Sequence, residues 1–520
     1  MNLSDLVLRN AAFAPDKAAI RFAGAALSYA AFASRIQAAA RGLGEGLGVE
    51  RGDRVAILST NHPDYLVALY ACARIGAILV PLNWRLAPAE HAFIIGDAGA
   101  KALIVEAAFA NVLEALASNA PLFPPPSPRG GRVEQDRTVR AIGIGFEPAG
   151  GITFEALVAG GGCSGRDPIG ADVTTADPVL IVYTSGTTGR PKGAVLTQDA
   201  LIANAVMSQH MHDMTSDDVV LTVLPMFHVG GLNIQTTPAL QVGATVVIHE
   251  RFAPGPALAA IEAERATLMV MVPSTMQAII EHPAWTSTRL TSLRSISAGS
   301  TLVPQPLIDR FAERGVAVLQ VYGSTETSPI AIYSRIGCDW RRPGSTGLPG
   351  LLCEARVVDD AGREVALGIA GEVEVRGPNV MREYWGNARA TAKTLHDGWC
   401  RSGDIGTRDG DGYFFIRDRR KNMIISGGEN IYPAEVERVL LSHPAIAEAA
   451  VVGEPDPRWQ EVPVGCVVLR PGMAATAEEI EAFCLIQLAR FKVPRRYRFL
   501  SALPRNAMGK VQHFALKKPV

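Results

Sequence analysis

From Val55 onward, short apolar runs rich in β-branched residues alternate with alanine-rich segments of helical period. The runs are "VAILS", "AILVPLN", "ALIVEA", "PVLIVY", "VVLTVLP", "ATVVIHE", "TLMVMVP" and "AVLQVYG"; a helical example is "PDYLVALYACARI". Strands apolar on both faces and separated by helices predict parallel sheets covered by helices. The most apolar long window, "YLVALYACARIGAILVPL", is interrupted by Arg74 and Gly76 and predicts a buried helix feeding a strand rather than a membrane span. After about Cys353 the pattern shortens to glycine-punctuated strands, "EARVVDDAGREV", "GEVEVRG" and "GYFFIRD", which predict antiparallel hairpins. A second change follows "RDRRKNMII". Pro433 stands at the first turn of a helix "AEVERVLLSH", followed by strands "IAEAAVVGE" and "VPVGCVVLR" and a helix "TAEEIEAFCLIQLARF". The predicted class is α/β. A large N-terminal domain, 1–420, holds helix-covered, mostly parallel sheets plus a small β-barrel-like part, and a smaller α+β domain spans 421–520.

Composition narrows what such a chain can do. With 520 residues, 48% hydrophobic and 19% charged, it has ample core for a soluble protein of more than one domain. A formal net charge of -1 argues against an electrostatic grip on nucleic acid or an anionic membrane surface, and leaves small polyanions held by local cations. The N-terminus places Asp5, Arg9, Pro15 and Asp16 where a secretory signal would have an ordered apolar core. The seven cysteines, Cys72, Cys163, Cys338, Cys353, Cys400, Cys466 and Cys484, include no CxxC pair, so neither zinc nor a disulfide framework is signalled and a reducing cytoplasm fits. The proline-rich stretch 121–132 reads as a surface loop without assignable chemistry, and the chain has no internal repeat.

One stretch concentrates hydroxyls, glycines and a lysine directly behind an apolar run: "YTSGTTGRPKGAV", Tyr183 to Val195. A Gly/Ser/Thr linker would share this composition. A Walker loop is excluded by spacing, because Pro191 stands where its second glycine would fall and Lys192 is followed by Gly193. Yet Gly186, Gly189 and Gly193 can expose backbone N–H groups, Thr184, Ser185, Thr187 and Thr188 can donate to phosphate oxygens, and Lys192 adds a cation. A triphosphate clamp of another design is consistent with these residues.

This loop resembles the signature loop of the adenylate-forming superfamily, which includes acyl-CoA synthetases, luciferases and peptide-synthetase adenylation domains. Further motifs of that superfamily follow in order: "PMFHVGG" (225–231), "SAGSTLVP" (297–304), "YGSTETS" (322–328), "GWCRSGDIG" (398–406), "DRRKNMIISGGENIYPAEVE" (418–437) and "PRNAMGKV" (504–511). The resemblance covers nearly the whole chain and implies ATP, Mg²⁺ and coenzyme A as partners of a small-molecule carboxylic acid. It places the face of Tyr322, beside Gly323, against adenine, Thr325 on the α-phosphate and Glu326 on the Mg²⁺. Ala298, Gly299 and Ser300 are expected to wall the adenine, and Asp404 to hold the ribose with Arg419 in support. Lys510 is implied as the adenylation lysine, a compact cation at the oxygen bridging carbonyl and α-phosphorus. The resemblance also implies that the smaller domain is mobile. It would rotate about Lys421, withdraw Lys510 and bring Gly428 to line a pantetheine tunnel, with Trp459, Phe491 and Arg495 meeting the CoA nucleotide. Trp459 and Phe491 could equally belong to the domain core. The sequence departs from the family pattern at Asp418, where glycine is usual, and at Asn422, where an acidic residue is common.

The acid itself is less legible. His228 in "PMFHVGG" matches the position that lines or gates the carboxylate site in acyl- and aryl-CoA ligases. No acidic residue occurs from Leu221 to Ile248, which disfavours an α-amino acid. No Lys or Arg occurs there or in Met269 to Ile280, Ser297 to Val303 and Tyr322 to Ser334, which disfavours a dicarboxylate. The expected lining, Phe227, His228, Leu232, Ser274, Gln277, Ala298, Gly299, Tyr322, Gly323 and Ile330, suits a neutral acid of medium-chain, alicyclic or aromatic type. The expectation is an AMP-forming acyl-CoA synthetase. A ligase passing its acyl group to a carrier protein is the alternative, and formation of a homodimer is left open.

Overall fold

The computed structural model describes residues 1–119, 139–161, 172–184, 191–299, 303–337, 342–419, 422–426, 429–457, 459–488, 490–506 and 509–517, without the side chains of 118, 119, 419, 429, 430 and 460. The proline-rich stretch 121–132, Cys163 and Cys338 lie outside these residues.

Two large sheets build the N-terminal part. In the eight-stranded sheet the order is Glu383–Tyr384, Lys192–Thr197, Pro178–Thr184, Ile78–Pro81, Arg54–Leu58, Ala100–Glu106, Arg140–Ile144 and Ile152–Thr153. In the nine-stranded sheet it is Leu348–Pro349, Ile332–Tyr333, Ala317–Tyr322, Ser295–Gly299, Leu268–Met271, Val219–Thr222, Thr245–Ile248, Ala18–Phe22 and Ala25–Ser28. The inner pairings are parallel, as the alternation of apolar runs and helices requires, while the edges turn antiparallel.

The window "YLVALYACARIGAILVPL" forms the buried helix Pro63–Ile75 and the strand Ile78–Pro81. Pro63 presets its first turn, His62 accepts from the Asp64 N–H, and Gly76 ends it at φ +71. Its residues from Asp64 to Ile75 are buried, as expected of a helix that is apolar all round.

The strands beyond Cys353 form a separate five-stranded sheet of antiparallel pairs, Glu354–Val358, Gly371–Arg376, Trp399–Arg408, Leu395–His396 and Phe414–Arg419. The C-terminal part carries a fourth sheet around the long hairpin Ile446–Asp456 and Gln460–Leu469. The helices Pro433–Leu441 and Ala477–Gln487 contribute to its core. Here the pattern overreached: the helical run stops at Gln487 instead of continuing to Phe491, because Leu488 turns extended and packs with Val493 in that core.

The hydroxyl-rich loop joins the antiparallel strands Pro178–Thr184 and Lys192–Thr197, with Thr184 opposite Lys192. Its tip, 185–190, lies outside the described residues. The two departures from the family pattern meet each other: Asn422 Nδ2 donates to Asp418 Oδ1 at 3.2 Å. Asp418 Oδ2 also accepts from Ala434 N–H at 2.8 Å, inside the first turn of the helix Pro433–Leu441.

Candidate active site

The strand Ala317–Tyr322 delivers Tyr322 to the C-terminal edge of the nine-stranded sheet, where parallel strands leave a crevice for ligands. Its phenol donates to Asp404 Oδ2 at 2.8 Å. Asp404 is 6% exposed and lies in register with Arg419 on the neighbouring antiparallel strand, so the Tyr322 ring and the carboxylate are tied together. Gly323 follows where the backbone leaves no room: a Cβ there would stand 1.7 Å from the Pro329 carbonyl oxygen. At Gly299 a Cβ would meet the Val321 carbonyl at 2.3 Å, so the small residue serves the packing of adjacent strands. Ala298 is buried, and Ser300 lies outside the described residues.

Thr325 and Glu326 open the 3-10 turn Thr325–Thr327, held by the Ser324 N–H on Thr327 Oγ1 at 2.9 Å. Thr325 is buried. Glu326 Oε1 accepts from the Tyr384 phenol at 2.6 Å, and the Lys192 ammonium lies 5.3 Å from the centroid of that same ring. Burial and the nearby Glu326 hold Tyr384 protonated, well above the usual phenol range, so it acts as a donor. Tyr384 thus couples the end of the hydroxyl-rich hairpin to the acidic turn. Sequence reasoning missed it, although it sits in the strand that pairs with Lys192–Thr197. Among the described residues no group of three or more His, Cys, Asp or Glu forms a metal cage. A single carboxylate suits Mg²⁺, which binds through one or two carboxylates plus substrate phosphates. Of the loop's other donors, Thr184 reaches the Lys192 carbonyl at 3.5 Å, and Ser185, Gly186, Thr187 and Thr188 lie outside the described residues.

His228 caps the helix Val229–Asn233, with the Gly230 N–H donating to Nδ1 at 3.0 Å. Its surroundings push the ring down to about 4, first by burial and then by the neighbouring Lys510. A neutral ring whose Nδ1 accepts carries its proton on Nε2, so His228 offers a donor rather than a charge. Lys510 is presented by a tight turn in which Arg505 bridges Val511. Asn506 accepts from the Lys510 N–H through Oδ1 at 2.9 Å and donates its own N–H to the Lys510 carbonyl at 2.8 Å. Gly509, at φ +74, passes so close to the helix Pro273–Glu281 that a Cβ would lie 3.1 Å from Ser274 Oγ. The small domain is therefore docked with its lysine turn at the crevice.

A cavity of about 450 Å³ opens beside this turn, lined by Asn506, Gly509 and Ser274 on one side and by Leu224, Trp84 and Arg251 on the other. The guanidinium carbons of Arg85 and Arg251 each lie 4.5 Å from the Trp84 ring centroid. Sequence reasoning missed this cluster: its charge survey covered neither Arg85 nor Arg251, which follow the ends of strands in different sheets. The only available signal was position, just beyond the C-terminal ends of parallel strands.

Among the remaining predicted residues, Phe227, Leu232 and Ile330 are buried, and Gln277 hydrogen-bonds Glu281 one helical turn on. Arg495 lies over Trp459, 5.8 Å from its ring centroid, whereas Phe491 packs against the small domain's core. Lys421 and Gly428 lie outside the described residues, as does the side chain of Arg419. Cys72, Cys353, Cys400, Cys466 and Cys484 are free thiols, and no described helix is long and apolar enough to cross a membrane.

Comparison with known proteins gives this geometry a context. Residues 7–385 match the family model described as AMP-binding enzyme, and residues 435–510 match that of the AMP-binding enzyme C-terminal domain. The chain is 45% identical to an indoleacetate–CoA ligase of Aromatoleum aromaticum, over 98% of this chain and 97% of the other. It is 41% identical to a feruloyl-CoA synthase of an Amycolatopsis species, over 97% and 96%. Its fold is similar to that of the o-succinylbenzoate CoA synthetase of Bacillus subtilis bound to its acyl-adenylate, with a TM-score of 0.84, 30% identity and coverage of 100% and 99%.

Proposed function

The chain belongs to the AMP-binding enzyme family and is an AMP-forming carboxylate–CoA ligase that uses ATP and CoA; from this we propose that its acid is a neutral aryl or arylalkyl carboxylic acid. The observation that carries the reading is the neutral His228 beside Lys510, in a stretch whose apolar residues Phe227, Val229 and Leu232 are buried. One donor and one cation suffice for a single carboxylate, and the relatives named above act on acids with aromatic rings.

In this reading the nucleotide lies with adenine on the Tyr322 ring and the ribose on Asp404. The carboxylate, oriented by His228 Nε2–H, attacks the α-phosphorus; an O–P bond forms as the bond to pyrophosphate breaks. Lys510 stabilises the charge on the bridging oxygen. Lys192 and the hydroxyl-rich hairpin hold the departing phosphates, with Tyr384 keeping Glu326 aimed at them. Mg²⁺, when bound at Glu326, neutralises phosphate charge. The thiol of CoA then attacks the acyl carbonyl, and AMP leaves. For its nucleotide phosphates we assign Arg85 and Arg251, whose charge at the cavity rim suits a polyanion better than a second carboxylate of the acid. Trp459 and Arg495 are assigned to the same cofactor after domain rotation. Transfer to a carrier protein is the less favoured reading, because the relatives above are CoA ligases.

Purified enzyme with ATP, Mg²⁺ and CoA, offered aryl, arylalkyl, straight-chain and dicarboxylic acids, should form thioester fastest with an arylalkyl or cinnamic-type acid. Preference for a straight-chain acid or a dicarboxylate would refute the aromatic assignment.

A further inference from the structure

The strands Val219–Thr222 and Thr245–Ile248 run side by side in the nine-stranded sheet, and just past them the His249 N–H still donates to the Thr222 carbonyl at 3.0 Å. Beyond that bond one chain runs on to His228 and the other to Arg251. Both are fastened to the eight-stranded sheet by Asn61, a residue that none of the roles above uses. Asn61 stands in the short connection between the strand Arg54–Leu58 and the helix Pro63–Ile75 and is 2% exposed. An asparagine just before a helix commonly caps it, but here His62 fills that place. The Asn61 amide works at long range instead. Its Nδ2 donates to the Leu224 carbonyl at 3.0 Å and to the His249 carbonyl at 3.0 Å, while Oδ1 accepts from the Met226 N–H at 2.8 Å. The Asn61 N–H donates to the Glu250 carbonyl at 3.2 Å. Turning the amide over would set its oxygen against two carbonyls and its nitrogen against an N–H, so these partners fix its orientation.

The anchor is itself fixed. Glu106, at the end of the neighbouring strand Ala100–Glu106, accepts through one carboxylate oxygen from the Ser59 hydroxyl at 2.9 Å, the Thr60 N–H at 2.7 Å and the Thr60 hydroxyl at 2.8 Å. Tyr65, in the first turn of the helix Pro63–Ile75, donates its phenol to the Met226 carbonyl at 3.2 Å, so Met226 is held through both of its backbone groups. The step from there to the acid site is short. His228 lies two residues beyond Met226, and its N–H donates to the Pro225 carbonyl at 3.2 Å, inside the clamped stretch 224–226. Arg251 directly follows Glu250, whose carbonyl Asn61 also holds. At this side-chain length only an amide supplies two donors and an acceptor together.

We propose that Asn61 is a positioning residue for both half-reactions. Its one amide sets where the His228 ring stands for the carboxylate and where the Arg251 guanidinium stands for the CoA phosphates, acting through the backbone that carries them. The inference rests on the roles proposed above for His228 and Arg251 and adds the group that places both.

Two variants test it. Asn61→Asp keeps an acceptor for Met226 and removes the paired donors. Asn61→Ser is shorter, and because Asn61 lines the cavity of about 450 Å³, water can take up the space; this milder variant keeps the test if Asn61→Asp does not fold. Per folded enzyme, kcat for acid-dependent pyrophosphate release without CoA should fall by about 10- to 100-fold, the scale of a misplacement of about 1 Å. The KM for ATP should stay within about twofold, because Tyr322 and Asp404 stand on other strands. In the complete reaction the KM for CoA should rise by about 3- to 10-fold. A purely structural role would lower Tm and yield while leaving the kinetics of the folded fraction alone, and that result would overturn the proposal. A change in pyrophosphate release without one in the CoA KM, or the reverse, would overturn it too, as would a rise in the ATP KM equal to that for CoA. Arg251→Ala, assayed alongside, separates the two levels of inference. A CoA KM unchanged in Arg251→Ala and in the Asn61 variants would refute the assignment of Arg251 and this inference with it. A rise in Arg251→Ala that the Asn61 variants do not share would refute this inference alone.

Discussion

Lys510→Ala separates the two half-reactions. Lys510 sits where burial and its own charge together bring His228 from 6.5 to about 4. At about 1.36 kcal/mol per pKa unit, that fall means a second cation at this point is disfavoured by roughly 3 kcal/mol. A crevice that resists added positive charge beside His228 makes the Lys510 ammonium count toward a developing anion there. Removing a comparable preorganised group costs about 2.7–4 kcal/mol, or about 10²- to 10³-fold in rate. Acid-dependent pyrophosphate release by Lys510→Ala should fall by that factor, while thioester formation from supplied acyl-AMP and CoA stays within about threefold. The pH dependence carries a second readout with a fixed sign. Lys510 lowers the pKa of His228, so its removal raises that pKa, and His228 becomes protonated at a higher pH than in the wild type. The residual adenylation activity of the variant should therefore decline on the acid side at a higher pH than the wild-type profile does. Equal loss of both half-reactions, or an acid limb that stays put, would refute the assignment of Lys510 and the electrostatic coupling to His228.

Three further changes test other parts of the site. Tyr384→Phe removes the 2.6 Å donor to Glu326 while keeping the ring beside Lys192, and should slow pyrophosphate release by about 10- to 100-fold with the acid KM little changed; a change confined to the acid KM would contradict the coupling. Arg251→Ala should raise the KM for CoA by about tenfold and weaken its salt dependence without slowing acyl-AMP formation, measured as pyrophosphate release in the absence of CoA. Gly323→Ala would place a Cβ 1.7 Å from the Pro329 carbonyl oxygen, so the variant should lose more than about 3 kcal/mol in urea unfolding or fail to accumulate as folded protein.

What could be read from the chain, and what could not, divides along one physical line. What a local stretch of residues encodes was legible: the end of the strand at Tyr322 and the motifs that carry Glu326, Lys510 and His228, whereas the turn at Glu326 and the cap formed by His228 emerged with the structure. A motif is short because the geometry it encodes is local, so residue types at fixed offsets carry it. The strand alternation was legible for the same reason, since period and apolar length decide burial within one element. Groups that act across elements left no such trace. Tyr384 is useful because its strand pairs beside Lys192–Thr197, and the Trp84, Arg85 and Arg251 cluster exists because the ends of strands from two sheets converge. The same division explains why the charge survey did not reach Arg85 and Arg251: screening short windows for Lys and Arg assumes that neighbours in space are neighbours in sequence, and at the C-terminal edge of a parallel sheet they are not.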